Sequence, residues 1–311
     1  MNSTMLQNLA QDIYADTFVR NFTLVLLGIT INLINGVFVF IFFKSSFFYN
    51  DPRYILYIHL VINDMLMVFI TVMLFVMAYA WPNVPLPFCV ILLIIASTTH
   101  KNTPLTLAGM AVERYVAICK PLHHHQICTV RRTYILISLI WGVGVIPGLA
   151  ELIAIVIVRP LSIFKTNSAC TSTVVYNTPY HDELNKVTNG LYTFFVWVIL
   201  VFTYCQVVIA ARRATTDKSS AKKAQNTILL HGAQLLLCML SYITAVLDKI
   251  YFLTIADQQR KMLYFFSYLL TNIVPRLLTP LIYGVRDKHF LNHIKRLFSC
   301  KLPVVKVEST K

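Results

Sequence analysis

The chain alternates between long apolar runs and short polar connections. Seven runs stand out: Thr23–Phe43, Tyr54–Ala80, Pro87–Cys119, Thr133–Val158, Asn189–Ala211, Ala224–Thr254 and Met262–Val285. Each is close to the ~20 residues that a helix needs to cross a bilayer. The third and sixth exceed one span, which predicts tilt or extension past the hydrocarbon. An open strand edge cannot stand in lipid, so the runs predict helices. A transmembrane barrel would show short segments of alternating polarity instead. After the seventh run, Phe290, Leu291, Ile294, Leu297 and Phe298 recur on one helical face, with Lys288, Lys295 and Arg296 off it. That pattern predicts a short amphipathic helix along the inner leaflet. The expected fold is an all-α membrane protein, a seven-transmembrane helix bundle over residues 23–285. Residues 1–22 form an extracellular N-terminus, and residues 286–311 a cytoplasmic amphipathic helix and tail.

Composition supports this. Of 311 residues, 57% are hydrophobic and 13% charged, whereas soluble domains carry about a quarter charged residues. A net charge of +14 would suggest nucleic acid as the partner of a soluble protein. Here the basic residues sit in the connections between runs, so membrane lipids are the expected neighbours and nucleic acid is not. Seventeen lysines and arginines, from Lys44 and Arg53 to those of the tail, fall on one side. Six (Arg20, Arg159, Lys165, Lys186, Arg260 and Lys261) fall on the other. The richer side is cytoplasmic, which puts the N-terminus outside and the C-terminus inside. Asp12 and Asp16 argue against a cleavable signal peptide, leaving the first span to direct membrane insertion. Asn2-Ser3-Thr4 is a glycosylation sequon on the outer side, and Asn21-Phe22-Thr23 a second that abuts the membrane. Cys300, beside the amphipathic helix, is either a palmitoylation site or a reduced cytosolic thiol.

Cys89 lies at the outer end of the third run and Arg114 at its inner end. The next outer connection, Arg159 to Thr188, holds one cysteine, Cys170. A disulfide Cys89–Cys170 would tie the third helix to that loop in an oxidising compartment; the alternative is two free thiols. Glu113 and Arg114 pose a separate question, because charges at a membrane boundary need partners. Taken alone, they read as an ion pair anchoring a helix end.

The flanking residues change that reading. "MAVERYVAICKPLHHH" (Met110–His125), "DPRYILYIHLVIND" (Asp51–Asp64), "KAQNTILLH" (Lys223–His231) and "TPLIYGVRDK" (Thr279–Lys288) together resemble vertebrate odorant receptors, a branch of the rhodopsin-like G-protein-coupled receptors. The resemblance covers nearly the whole chain. "HKNTPL" at His100 and the Asp51-Pro52-Arg53 turn look closest to the fish type. The chain departs from the family pattern at Thr279, where asparagine is usual, at Met239 and Tyr242, and in having one cysteine in the second outer loop.

The resemblance implies a receptor that binds a small odorant within the bundle and activates a heterotrimeric G protein of the stimulatory olfactory type. Cyclic AMP would rise, in the plasma membrane of sensory-neuron cilia. Glu113, Arg114 and Tyr115 would form the G-protein switch, with Arg114 paired to Glu113 at rest and turned toward the G protein on activation. Tyr204 and Tyr283 would hold the open form, and Lys222, Lys223, Arg131 and Arg132 would line the same mouth. Asn35, Asp64 and Arg276 form an expected intramembrane polar network, in which Arg276 pairs with Asp64 in place of a sodium ion. Lys101 lies twelve residues outward of Glu113, about 18 Å at roughly 1.5 Å per residue. At that depth it is a ligand contact, half of an internal ion pair with Glu151, or a lysine whose pKa has fallen so that it is neutral. Candidate ligand contacts are Lys101, His100, Tyr192, Tyr242, Val246 and Asn272.

Other classes fit less well. Ile95-Ala96-Ser97 lacks the acid of amine receptors, and Met262–Val285 lacks the lysine an opsin needs for a Schiff base. A non-olfactory rhodopsin-like receptor is the nearer alternative. A transporter would show repeated halves with broken helices, and no internal repeat is evident. His123-His124-His125 lies in a cytoplasmic connection and reads as a solvated basic face rather than a metal site. With no phosphate loop, zinc spacing or triad, neither enzymatic activity nor a cofactor is expected.

Overall fold

A computed structural model describes residues 3–81, 83–176, 178–213, 257–280, 290–293 and 295. The helices are α1 (Ser3–Lys44), α2 (Pro52–Ala80), α3 (Leu86–Cys119), the short α4 (His124–Ile127), α5 (Val130–Val158), the short α6 (Ser172–Val175), α7 (Pro179–Arg213), α8 (Asp257–Tyr268) and α9 (Val274–Pro280). The segments Tyr14–Lys44, Pro52–Ala80, Val130–Val158 and Glu183–Ala210 are long and apolar enough to cross a membrane, and Met262–Leu278 is a shorter apolar helix. The predicted sixth run, Ala224–Thr254, lies outside the described residues.

The helices overrun the apolar runs that predicted them. Residues 3–22 contain neither proline nor glycine, and an Asp16–Arg20 ion pair supports the turn just above the first run. The expected boundary at Thr23 therefore falls inside one continuous helix. α2 starts where chemistry dictates: Asp51 is its N-cap and accepts from the Arg53 backbone N–H at 3.0 Å. Pro52 fills the first helical position, where a missing N–H does no harm. Burial works against ionisation of Asp51, but the Arg53 hydrogen bonds outweigh it and hold the carboxyl below its ordinary value. Thr129 caps α5 in the same way, accepting from Arg132 N at 3.3 Å. The wide π turn Leu269–Ile273 separates α8 from α9 just before Pro275. Proline cannot donate the next backbone bond, so a widened turn there fits.

α3 is the central helix, packing on α2, α5 and α7. Its approach to α5 is set by Gly144 and Gly148, one turn apart. A Cβ on Gly144 would lie 2.2 Å from the tip of the Asn102 amide, and one on Gly148 would lie 3.0 Å from Ile94. Without a hydrophobic drive between helices in lipid, small residues permit the close backbone contact that holds the pair. The outer end is tied as well. Val84–Pro85 pairs antiparallel with Asn167–Ser168, and Cys89 and Cys170 are joined by a disulfide. At the inner end Phe290 is buried among Phe38, Phe48, Tyr54 and Tyr57, its ring 4.3 Å from that of Phe48. Phe290 thus docks onto the bundle, not the inner leaflet. Ile294, Leu297, Phe298 and Cys300 lie outside the described residues.

Replacing Gly144 by valine should force Asn102 and α3 away from α5. Overpacking of this kind costs about 1–3 kcal/mol. A fall in the melting temperature of the purified protein, with reduced surface expression, is the expected outcome of a thermal-shift measurement. Gly142, which has open space around its Cβ position, should tolerate alanine.

Candidate functional site

Three polar layers are strung along α3. In the outer layer, Lys101 is buried and its ammonium donates to Ser97 Oγ at 2.7 Å, one turn back on the same helix. Glu151 on α5 is also buried and close enough for its charge and that of Lys101 to act on one another. A direct ion pair between them, one of the alternatives for Lys101, is not formed; the Lys101 ammonium donates to Ser97 instead. His181 at the start of α7 lies beside this layer, its Nε2 3.4 Å from the Glu151 carbonyl oxygen. The Tyr176 ring stacks on it at 5.4 Å. Burial and the neighbouring Glu151 charge push the Tyr176 hydroxyl well above the ordinary phenol value.

The other pocket candidates separate. His100 is near enough to Arg276 and Lys101 to feel both charges. Tyr192, expected to face inward, donates its hydroxyl to the Val143 carbonyl and so is tied to α5. Asn272 sits in the π turn and donates to Thr271 Oγ1 at 3.1 Å. Tyr242 and Val246 lie outside the described residues.

The middle layer joins α2, α3 and α9. Thr103 donates to Asp64 Oδ1 at 2.9 Å. Asn63 donates to the Thr99 carbonyl at 2.9 Å and to Thr103 Oγ1 at 3.1 Å. Arg276 Nε stands 3.7 Å from Asp64 Oδ1, with both side chains fully buried, and its Nη2 reaches Met67 Sδ at 3.3 Å. Asp64 and Arg276 are thus brought together, as the expected receptor fold implies. Asn35 is not: it is fully buried in α1, and its amide has no partner among the described residues. A further link, which the apolar runs concealed, lies nearby. Trp141 Nε1 donates to His59 Nε2 at 2.9 Å. His59 Nε2 is therefore unprotonated, and Nδ1 carries the proton toward Thr106 Oγ1 at 3.2 Å.

The inner layer is the end of α3. Glu113 is buried, and its Oε1 accepts from His124 Nε2 at 2.9 Å. The expected partner was Arg114; its charge acts on Glu113, but the hydrogen bond comes from α4. The reason is steric. Residues adjacent in a helix point about 100° apart, so Glu113 turns into the bundle while α4 folds under α3 to meet it. The histidine run is therefore not a uniform solvated face: His124 is half-buried on Glu113, with His123 and His125 exposed. A cavity of about 480 Å³ opens beside this pair, lined by Asp51, Arg53, Ala117, Pro121, His125 and Cys128 among others. Tyr115 packs against Phe202 of α7, ring centroids 5.9 Å apart. Tyr204, expected to face the mouth, is 46% exposed on α7, and Leu122 in the loop is 89% exposed. Tyr283, Lys222 and Lys223 lie outside the described residues.

Comparison with known proteins decides the family. Residues 34–283 match the 7 transmembrane receptors of the rhodopsin family. The chain belongs to that family. It is a seven-transmembrane bundle, a multi-pass membrane protein and a receptor rather than an enzyme. It is 32% identical over 314 residues to Odorant receptor 131-2 of Danio rerio, covering 100% of this chain and 96% of that one. It is 26% identical over 203 residues to Olfactory receptor 4F4 of Homo sapiens, covering 61% of each. To Olfactory receptor 2W3 of Homo sapiens it is 30% identical over 208 residues, covering 62% of this chain and 61% of that one. The full-length match to a fish receptor agrees with the fish-type resemblance of its motifs.

Breaking a buried pair from one side strands a charge and typically costs about 3–5 kcal/mol. Asp64→Asn and Arg276→Gln should each lower thermal stability on that scale, while the double variant should lose less than their sum. A double-mutant cycle on the purified receptor measures this coupling; additive losses would show that the two side chains act independently.

Proposed function

We propose that this chain is an odorant receptor. A small odorant binds in the outer half of the bundle, and the receptor activates a heterotrimeric G protein of the stimulatory olfactory type, raising cyclic AMP. The receptor sits in the plasma membrane of sensory-neuron cilia with its N-terminus, glycosylated at Asn2, outside. The observation that carries this reading is the 32% identity to Odorant receptor 131-2 across the full chain.

The geometry supports a mechanism. A receptor needs two helical arrangements separated by a few kcal/mol, with ligand binding one of them better. Glu113, held by His124 at 2.9 Å, is the resting latch between α3 and α4. Arg114 and Tyr115 follow it at the mouth. On activation α3 and the helices around it shift, the latch opens, and Arg114 meets the C-terminus of the G protein. Leu122, exposed in the same loop, offers an apolar contact to that partner. Tyr204 turns inward and, with Tyr283, holds the open form.

A hydrogen bond to a charged group contributes about 1.5–3 kcal/mol. Removing the latch with Glu113→Gln or His124→Phe should therefore raise basal cyclic AMP about tenfold in cells co-expressing the G protein. Arg114→Ala at equal surface expression should abolish both basal and odorant-driven signals. Unchanged basal signalling in both latch variants would refute the latch, and an odorant response that survives Arg114→Ala would refute the assigned switch.

A further inference from the structure

The outer layer holds two opposite charges that the fold buries without letting them meet. Lys101 is 5% exposed and Glu151 is 4% exposed. Among the described residues neither has an oppositely charged group within 4.0 Å, and the Lys101 ammonium donates to the Ser97 hydroxyl. A buried charge with neutral partners is costly at membrane depth, and such a residue faces a cavity or a ligand path in most membrane proteins. Direct pairing would have been simple to build. Glu151 lies on the same face of α5 as Gly144 and Gly148, the residues that draw α3 close. The helices touch there, yet the two charges remain apart.

The groups around Glu151 are neutral hydrogen-bonding side chains. Asn185 and Tyr176 face its carboxylate. Tyr176 is buried, 9% exposed, and its hydroxyl lies against the Glu151 carboxylate. It sits in the outer loop a short way past Cys170, which the disulfide pins to Cys89 on α3. The layer thus has a cation on its α3 side, an anion on its α5 side and, beside the anion, a hydroxyl from the disulfide-anchored outer loop.

Resting on the receptor reading above, we propose that the ligand is a small zwitterion. Its carboxylate pairs with Lys101, and its ammonium pairs with Glu151 under Tyr176. Free amino acids are the simplest members of this class. A molecule carrying both charges completes two half-made ion pairs at once, whereas a ligand with one charge leaves the opposite wall unpaired. A neutral ligand leaves both.

The test uses the full-length receptor in cells with the G protein, read as ligand-driven cyclic AMP. The probes are free amino acids with one to four carbons between the charged groups, with their methyl esters and N-acetyl forms, and a set of neutral odorants. A site built to bind a polar group rejects the analogue lacking it by large factors, so each blocked form should be at least about 100-fold weaker than the free amino acid. In Lys101→Met the discrimination between acid and ester should vanish, while that between amine and N-acetyl remains. Glu151→Gln should show the reverse. Blocked forms as potent as the free amino acid on the unmodified receptor would overturn the proposal, whatever the variants do. So would a response to neutral odorants alone, and that result would leave the receptor reading intact. If Arg114-dependent signalling is absent even without ligand and to every probe, the receptor reading fails together with this one.

Discussion

Water is absent from the hydrocarbon layer, and α3 carries Thr99, Lys101, Asn102, Thr103, Thr106 and Glu113 through it, all buried. Every one of these groups must find its partner in the protein, because none is available in lipid. That requirement explains why α3 sits in the middle. Its neighbours each supply one side of a polar contact: Asn63 and Asp64 from α2, Arg276 from α9 through Asp64, and His124 from α4. The α3–α5 contact adds a steric requirement, met by two glycines. Lipid-facing positions are free of such demands, which is why α5 and α7 show rows of outward Leu, Ile, Val and Phe.

The three polar layers lie on one helix, so a displacement in one bears on the others. The outer layer and the latch are separated by twelve residues of α3, about 18 Å, with Pro104 between them. Proline removes one rung of the helical ladder and permits a local bend. The middle layer, where Asp64 meets Thr103 and Arg276, grips α3 near that point. A ligand that draws on the outer layer therefore acts against a rod held in the middle and latched at its inner end. The proposed signalling needs no long pathway of its own, only two positions for α3 relative to its partners.

Much of the fold was legible from hydropathy, because each apolar run had to become a helix in lipid. The helix ends were less legible. A helix stops at a breaker or a cap, not at the edge of the bilayer, so α1 runs through residues 3–22 and α7 begins at Pro179. Cys89 and Cys170 could be read as a pair because each was the one cysteine on its stretch of the outer side. Asp64 and Arg276 were legible as rare charges at matching depth. Partners contributed by short connections were not legible: His124 looked like one of three equivalent loop histidines, and only the fold of α4 beneath α3 singles it out. The direction of a half-polar side chain is equally hidden in a sequence: Tyr192 reads as inward-facing, yet its hydroxyl reaches a carbonyl of α5. Ser97 as the partner of Lys101 was not legible either, because a hydroxyl one turn away on the same helix carries no charge signal.

The proposed mechanism requires this bundle to be a ligand-controlled activator of a G protein. The most direct measurement is the rate of guanine-nucleotide exchange on a purified heterotrimeric G protein, with the purified receptor in lipid nanodiscs and no other cellular component present. The receptor should accelerate exchange, and a bound ligand should accelerate it further. A correctly folded receptor, with its Cys89–Cys170 bridge intact, that leaves exchange at the rate of the G protein alone would contradict the mechanism.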